Sequence, residues 1–458
     1  MKKMTQLALC ASIGLCGVST VQAANWFDIQ TISLPEWGGG KFIGFVQPLF
    51  TDISANSVTS GPAHDQTAKF NLVQPTSNQS SDLYLQRIRL FERGSINPDI
   101  SYYVGVEAGQ NGYDYSFGKY SPRLIDANVV FSNYIPGVRF EVGNIRAPGP
   151  EGAMEGFMDF NFLDLFPSGI AQLMQPTFYN PSVHYAVATG NPTGYAVPGA
   201  NVSGNNGFRY PGVQAENWFM VTPNTEVAYG LMLADYGRML EDGTSNGPIV
   251  AGRLQASYLL DQTSKRFFRN DLTGYVWAQQ AHPSIMGVSS TMKRDGLGMT
   301  YRNGYMQRGG LDIKTEYFEG SGNIVAPAVF NSFAGAPNNL TNEIVYNGSE
   351  NKAHGYSGSV GYFLDTNWEL VARYDYYDRL PNIAAQERVF QETAAAAVYH
   401  ISQFNKIVVD YINRSIGIPN VGAIGAAGPN SAATNQANAL AVTNSMGNQI
   451  DIWAVFAF

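Results

Sequence analysis

Three arginines share one face of a predicted β-strand near the start of the chain. Arg87, Arg89 and Arg93 lie at even spacing, and Ile88 and Leu90 occupy the opposite face. Because side chains of a strand alternate between its two faces, the three guanidinium groups should form a ladder along one line. Inward rings of charge set the ion preference of a pore. We therefore interpret the ladder as pore-lining; structural pairing with carboxylates is the alternative.

Other basic residues lie on later predicted strands. Arg146, at the end of a strand, is predicted to add a fourth pore-lining basic group. For the remaining scattered arginines we favour pairing with inward carboxylates, since buried charges are normally paired. These carboxylates are Asp126, Asp312, Glu316, Glu369, Asp375 and Asp410.

The segment 147–180 is the second candidate functional region. It is rich in apolar residues, contains Glu151, Glu155, Asp159 and Asp164, and has no Lys or Arg. An external loop this apolar is poorly suited to water, so we predict that it folds inward as a constriction loop. Its carboxylates would oppose the arginine ladder and create a field across the passage. An ordinary surface loop or a subunit contact is the alternative.

The strands that must position these residues alternate apolar with polar side chains. Strand 368–376 has Trp368 and Leu370 on one face and Glu369 and Arg373 on the other. A charge on the lipid face at the bilayer midplane costs about 2–4 kcal/mol. The charged faces should therefore surround water. The last ten residues repeat the pattern and end on Phe458, with Trp453 as an inward aromatic.

The spacing of the candidate strands predicts the fold. Sixteen such segments, the eleventh of which spans residues 307–317, are joined by seven short turns and eight long connections, including the low-complexity segment 417–447. An even strand number with alternating short and long connections is typical of bacterial outer-membrane barrels. The predicted fold class is all-β: a transmembrane antiparallel β-barrel of about 16 strands, with a long third external loop folded into the lumen.

Composition and the N-terminus agree with this prediction. Charged residues make up 14% of the 458 residues and aromatics 13%, against about 25% charged in ordinary globular chains. Residues 1–23 read as a secretory signal peptide, residues 24–40 as a periplasmic segment and residues 41–458 as the barrel. Both cysteines, Cys10 and Cys16, lie in the predicted signal peptide, which excludes disulfides and thiolate chemistry from the mature chain.

Several function classes are disfavoured. The formal net charge is -8, and loss of Lys2 and Lys3 with the signal peptide makes it -10. Proteins that bind nucleic acids show basic stripes, so this acidic balance argues against nucleic-acid binding. The five histidines have no metal-ligand spacing, so we expect no metal, no cofactor and no enzyme. A structural barrel that sheathes a partner protein is an alternative from another class, and a barrel hydrolase is the least favoured one.

Three stretches resemble the phosphate-selective porins O and P. They are residues 85–96, which include the arginine ladder, residues 126–129 and residues 139–148. The resemblance implies a sixteen-stranded trimeric barrel whose third external loop enters the lumen, and it maps the family's arginine ladder onto Arg87, Arg89 and Arg93. The family's basic inward loop has no counterpart, because the matching loop here is acidic.

The predicted function is an outer-membrane porin of a Gram-negative cell. It would form a water-filled channel for passive diffusion of small hydrophilic solutes and ions; an anion- or phosphate-selective channel is the alternative. The expected partners are outer-membrane lipid and lipopolysaccharide, two further copies in a homotrimer, and the barrel-assembly machinery, which would recognise Phe458 as the terminal residue.

Overall fold

Sixteen antiparallel strands form one closed barrel in the computed structural model. The model describes residues 40–54, 80–109, 122–156, 160–162, 168–174, 194–197, 208–236, 247–261, 269–282, 284–285, 288–289, 291–327, 343–346, 348–426 and 431–458. The predicted signal peptide and nearly all of the predicted periplasmic segment lie outside these residues.

Each barrel strand hydrogen-bonds to its neighbours along the chain, and the last strand pairs with the first. The strands are β1 Gly40–Ile53, β2 Ser80–Asn97, β3 Ile100–Glu107, β4 Arg123–Ile135, β5 Val138–Arg146, β6 Arg209–Thr222, β7 Thr225–Asp235, β8 Pro248–Leu259, β9 Asp271–Ala281, β10 Met292–Asn303, β11 Leu311–Ser321, β12 Lys352–Phe363, β13 Trp368–Arg379, β14 Arg388–Ser402, β15 Asn405–Gly417 and β16 Gln449–Ala457. The predicted antiparallel barrel of sixteen strands is confirmed.

The two chain ends close the barrel. β16 pairs antiparallel with β1, and Phe45 lies opposite Ala457. Phe458 adds a reciprocal pair of backbone hydrogen bonds with Gly44, each 2.9 Å long. The sheet therefore has no free edge, so its strand N–H and C=O groups are paired within the barrel.

Alternation separates a lipid face from an inner face, as predicted. On β16, Ile450 and Ile452 are 43% and 46% exposed on the outside, whereas Asp451 and Trp453 are buried inside. The inward Trp453 donates a hydrogen bond of 2.7 Å from Nε1 to Asp410 Oδ2. Among the described residues, no helix is long and apolar enough to cross a membrane.

Short turns and long connections alternate between the two ends of the barrel. One end has seven connections, six of them two to seven residues long, such as residues 98–99, 136–137 and 223–224; residues 260–270 form the seventh. In the turn 364–367, Asp365 Oδ1 accepts hydrogen bonds from the backbone N–H groups of Asn367 and Trp368. These bonds lower the pKa of Asp365, and they fix the tight reversal between β12 and β13.

One predicted strand boundary is wrong by four residues. We expected a strand from Gln307, but β11 begins at Leu311. The connection before it contains Gly304, Met306 and Gly309 at positive φ values of 73°, 53° and 80°. A strand requires negative φ, so this turn is longer than the sequence pattern indicated.

Helices and small sheets lie in the long connections. They are helices α1 Glu151–Met154, α2 Ser168–Leu173 and α3 Ala432–Asn444, a three-stranded sheet of Gly194–Val197, Glu343–Tyr346 and Ile324–Pro327, and the hairpin of Ser284–Ile285 with Val288–Ser289. We had read residues 417–447 as a low-complexity loop. They contain α3, whose Ala439 is buried in a cluster with Phe390 and Ile416.

Replacement of Trp453 by Ala should lower the free energy of unfolding by about 3–5 kcal/mol, as is typical for a buried aromatic. It should do so because the inner wall loses packing and Asp410 loses a donor. Chemical denaturation of the barrel in detergent micelles measures the change. The matched control is Trp368→Ala on the lipid face, where the loss should be smaller; equal losses would contradict an inward packing role for Trp453.

Candidate functional site in the barrel lumen

The arginine ladder lies on the inner wall. Arg87, Arg89 and Arg93 are all buried. Arg87 donates from Nη1 to Oε1 of Gln47 on β1, and Arg89 donates from Nε to Oε2 of Glu107 on β3 at 2.5 Å. Arg87 and Arg89 are thus fixed by partners on the two adjacent strands.

Arg146 contacts the third external connection. Its Nη1 donates to the carbonyl oxygens of Met154 and Glu155, at 3.4 and 3.0 Å. Close by in register, Arg209 makes two hydrogen bonds to Asp126, of 2.5 and 2.9 Å. Sequence reasoning missed Arg209 because it begins a strand after a long connection, where no alternating pattern shows its direction.

The same connection is anchored to the wall where it leaves β5. The carbonyl oxygen of Pro148 accepts from Gln279 Nε2 at 3.0 Å, and that of Gly149 accepts from Arg253 Nη1 at 2.8 Å. Glu151 forms an ion pair with Arg253 through Oε2. Arg253 belongs to β8 and Gln279 to β9, so the chain turns inward over strands beyond its own neighbours.

A second set of contacts involves β11. Glu155 Oε1 lies 2.6 Å from Lys314 Nζ, and the Glu151 N–H lies 3.3 Å from both carboxylate oxygens of Glu316. The ion-pair partners of Glu151 and Glu155 in the described structure are Arg253 on β8 and Lys314 on β11. That the loop carboxylates oppose the arginine ladder across the lumen stays a prediction. Asp159 and Asp164 lie outside the described residues.

The continuation of this segment reaches the far side of the barrel. Lys406 on β15 donates to the carbonyl oxygen of Phe160, and to Asn161 Oδ1 at 2.9 Å. Asn161 Nδ2 donates to Glu369 Oε1 at 3.1 Å. The Phe162 ring lies 4.5 Å from the guanidinium carbon of Arg373. Residues 147–156 and residues 160–162 therefore contact the inner wall on different sides of the lumen.

Helix α2 lies nearer the long-loop end. Its Ile170 and Leu173 belong to a buried apolar cluster that also contains Phe318 on β11. Arg294 donates from Nε to the carbonyl oxygen of Leu173 at 2.8 Å, and Arg379 donates to Gln172 Oε1 at 3.2 Å. These contacts hold α2 against the β10–β14 wall.

Part of the inner wall is apolar and packed. Phe162 belongs to a buried cluster with inward residues of β14–β16, including Val398, Val408, Ile412 and Trp453. Side chains fill this region, so it leaves little room for water. The space for a passage must lie elsewhere in the lumen.

A cavity that is open to solvent lies between the third external connection, at residues 151–155 and 160–162, and strands β11–β13. On β12 its wall is made of small residues, Ser357, Gly358, Ser359 and Gly361, which leave space in front of the strand. Of the other fourteen lining residues, seven are charged, and Phe160, Phe162, Tyr275 and Val371 add apolar surface. The acidic ones are Glu151, Glu155, Asp312, Glu316 and Glu369, and the basic ones are Lys314 and Arg373.

Solved structures share this architecture. Salmonella typhi OmpF, in a complex with daunomycin, aligns with a TM-score of 0.53 over 92% of this chain and 97% of that chain, at 12% identity. The chain has the fold of an outer-membrane porin. DcaP of Acinetobacter baumannii aligns with a TM-score of 0.49, covering 92% and 97% at 12% identity. An anion-selective porin from Comamonas acidovorans gives 0.48, covering 92% and 99% at 12% identity.

Sequence comparison does not define a family for this chain. No protein-family model and no curated protein sequence matches the chain. The porin fold, together with an apolar outer face, places the barrel in the outer membrane of a Gram-negative cell.

Several of the scattered inward arginines of this porin fold are paired with carboxylates, as the sequence pattern indicated, whereas Arg294 donates to carbonyl oxygens. Arg302 lies 2.6 Å from Asp312, and Arg414 lies 3.0 Å from Glu392. His400 is buried with its Nε2 2.9 Å from Glu369 Oε2. In the described part of the chain, no group of three or more His, Cys, Asp or Glu side chains is placed to hold a metal ion.

Replacement of Lys406 by Ala should release the segment around Phe160 from the wall. It removes hydrogen bonds from a charged donor, each worth about 1.5–3 kcal/mol, so the population of opened segment should rise at least about tenfold. Chymotrypsin cleavage at Phe160 or Phe162, followed by mass spectrometry, measures that opening. The control is Lys352→Ala, whose side chain is exposed; cleavage of Lys406→Ala at the wild-type rate would contradict the anchoring role.

Proposed function

We propose that the protein is an outer-membrane channel for passive diffusion of small hydrophilic solutes and ions. The observation that carries the proposal is the charged, open cavity between the inward segment and β11–β13. A transported solute would pass carboxylates and hydroxyls that replace part of its hydration shell. The many paired charges favour passage over tight binding.

The cavity lining supports a preference for cations. Five carboxylates and two basic groups line it, and Glu151 and Asp312 are further offset by Arg253 and Arg302, which leaves a small excess of negative charge. Excess negative charge at a narrow, partly desolvated passage attracts cations and repels anions. We extend the proposal to Asp159 and Asp164, which follow on the same acidic connection.

We further propose that the barrel works as a homotrimer in lipid and lipopolysaccharide. We also propose that the barrel-assembly machinery recognises its C-terminal strand through Phe458. The supporting observation is the exposed terminal ring of Phe458, which is 72% accessible next to the closing hydrogen bonds to Gly44.

Pure folded protein in planar bilayers should form open channels with a cation-selective reversal potential in a KCl gradient. Replacement of Glu155 by Gln should shift the reversal potential toward anions, since it leaves the charge of Lys314 unbalanced. The same change at exposed Glu350, Glu350→Gln, is the control and should have little effect. Absence of any conductance in folded protein would refute the channel.

The arginine ladder gives a second test. Replacement of Arg87 and Arg89 by Ala should shift selectivity further toward cations, if these arginines contribute to the field of the lumen. An unchanged reversal potential in barrels that migrate as folded on unheated gels would mean that the ladder only stabilises the wall. The resemblance to phosphate-selective porins supplies the rival prediction: phosphate at micromolar concentration would block the wild-type current and not that of the double variant.

A further inference from the structure

Polar and charged side chains cover the lipid-facing side of β10–β12 at the long-loop end of the barrel. They alternate along each strand with buried inward residues such as Arg294, Phe318 and Ala353. The Lys, Asp and Glu side chains among them are exposed, and the Ser and His are partly exposed. We call this set the outer polar patch; its members are Lys293 and Asp295 on β10, Glu319 and Ser321 on β11, and Lys352 and His354 on β12.

Strand register arranges the outer polar patch in two parallel rows. The lysine row, nearer the long loops, consists of Lys293, Ser321 and Lys352, and the acidic row consists of Asp295, Glu319 and His354. Within a row, each residue lies directly opposite the next one, with Cβ atoms about 5 Å apart. The rows are separated by two residues of strand, about 7 Å. The six side chains therefore occupy one compact area, about 10 Å across.

Tyrosines lie directly below the acidic row, toward the middle of the barrel. Tyr317 and Tyr356 lie opposite each other in register, and they are 39% and 46% exposed. Tyr356 stacks on Tyr376 of β13, with ring centroids 5.1 Å apart. Tyrosine concentrates at the membrane–water interfaces of outer-membrane barrels. The outer polar patch therefore lies at the level of the lipid head groups.

The membrane-facing remainder of these three strands is uncharged. Below the tyrosine level, the outward residues of the fully described strands are Leu297, Met299, Tyr301, Asn303, Leu311, Ile313, Thr315, Gly358, Val360 and Tyr362. A charge on the lipid face is costly at the midplane and much less so near the interface. Because the long loops of bacterial barrels are external, the outer polar patch faces the head groups of the outer leaflet.

The lysine row is suited to an anion. Among the described residues, neither Lys293 nor Lys352 lies within ion-pair distance of a carboxylate. Their flexible stems allow both ammonium groups to converge above Ser321, whose hydroxyl can donate a further hydrogen bond. Lysine ammonium groups bind phosphate as point charges. A phosphate group above Ser321 would therefore meet two cations and a hydroxyl.

The acidic row decides which phosphate compound fits. Asp295 and Glu319 would repel a bare phosphate ion beside the lysines. Carboxylates accept hydrogen bonds from hydroxyl groups, and Glu319 Oε2 already accepts one from the Tyr317 hydroxyl at 2.9 Å. Mg²⁺ is commonly held by one or two carboxylates together with a phosphate. A ligand that combines phosphate, sugar hydroxyls and bound divalent cations therefore complements both rows.

We propose that the outer polar patch binds the phosphorylated sugar head group of a lipopolysaccharide molecule in the outer leaflet. Lys293 and Lys352 hold one phosphate, and Asp295 and Glu319 hold sugar hydroxyls and a divalent cation that the phosphate carries. The acyl chains lie along the uncharged outer face below the tyrosines. This site rests on the lipid partner proposed above and assigns that partner to one side of the barrel. It is independent of which solutes cross the channel.

Native mass spectrometry of the full folded barrel in detergent, titrated with diphosphoryl lipid A, tests the lysine row. The wild type should bind lipid A more tightly than phosphatidylethanolamine. The double variant Lys293→Gln, Lys352→Gln should bind lipid A about twentyfold more weakly, because each lysine beside an anionic lipid surface contributes about fivefold. The matched control is Arg308→Gln, which removes an exposed cation at the short-turn end and should bind as the wild type does.

The double variant Asp295→Asn, Glu319→Gln tests the acidic row. EDTA should weaken lipid A binding to the wild type severalfold, and it should have little effect on this variant, which has lost the carboxylates for the divalent cation. Equal sensitivity to EDTA in the two proteins would overturn the role given to the acidic row. Because the substituted side chains are exposed, both double variants should fold, and migration on unheated gels checks this.

Two results would overturn the site itself. One is equal lipid A binding by the wild type and the double lysine variant, and the other is equal binding of lipid A and phosphatidylethanolamine by the wild type. The conductance of the double lysine variant in bilayers without lipopolysaccharide should equal that of the wild type. Failure of the lipid site would therefore leave the channel proposal standing, and failure of the channel would leave the lipid result unchanged.

Discussion

Closure of the sheet is the constraint on which the rest of this structure depends. Lipid cannot hydrogen-bond to a strand edge, so a membrane-spanning sheet is stable only when its last strand pairs with its first. Here the pairing of β16 with β1, extended by the two hydrogen bonds between Gly44 and Phe458, meets that requirement. Once the sheet is closed, every strand has one lipid face and one inner face, and the charged residues must lie inside.

The inner face is organised by ion pairs and by one packed apolar region. Arginines from several strands are paired with carboxylates on adjacent strands, as in Arg302 with Asp312, which offsets the cost of burying each charge. Around Trp453, apolar side chains fill part of the lumen and pack against Phe162 of the third external connection. The open space therefore lies next to the wall formed by β11–β13, where the small residues of β12 leave room.

Residues 147–156 and 160–162 of the third external connection determine the chemistry of that space. The carboxylates of Glu151 and Glu155 are held by Arg253 and Lys314, so they are fixed in position while part of their charge is cancelled. A cavity with an excess of carboxylates results, and it supports the cation preference that we propose. The arginine ladder on β2 remains part of the inner wall, with Arg87 and Arg89 engaged by Gln47 and Glu107.

The sequence by itself determined the barrel, its strand number and the direction of most side chains. It could do so because alternation of apolar and polar residues is a local property of each strand, and because a charge on the lipid face is costly. The inward direction of the ladder and of Trp453 followed from that rule alone. The sequence did not reveal α3 or the full turn before β11, where no alternating pattern exists.

Only the tertiary structure decided which polar side chains meet. It brings Glu151 to Arg253, Lys406 to the Phe160 carbonyl, and Glu141 opposite Gln214. These pairs depend on strand register and on the path of a long connection across the lumen, and both are set by contacts between residues far apart in the chain.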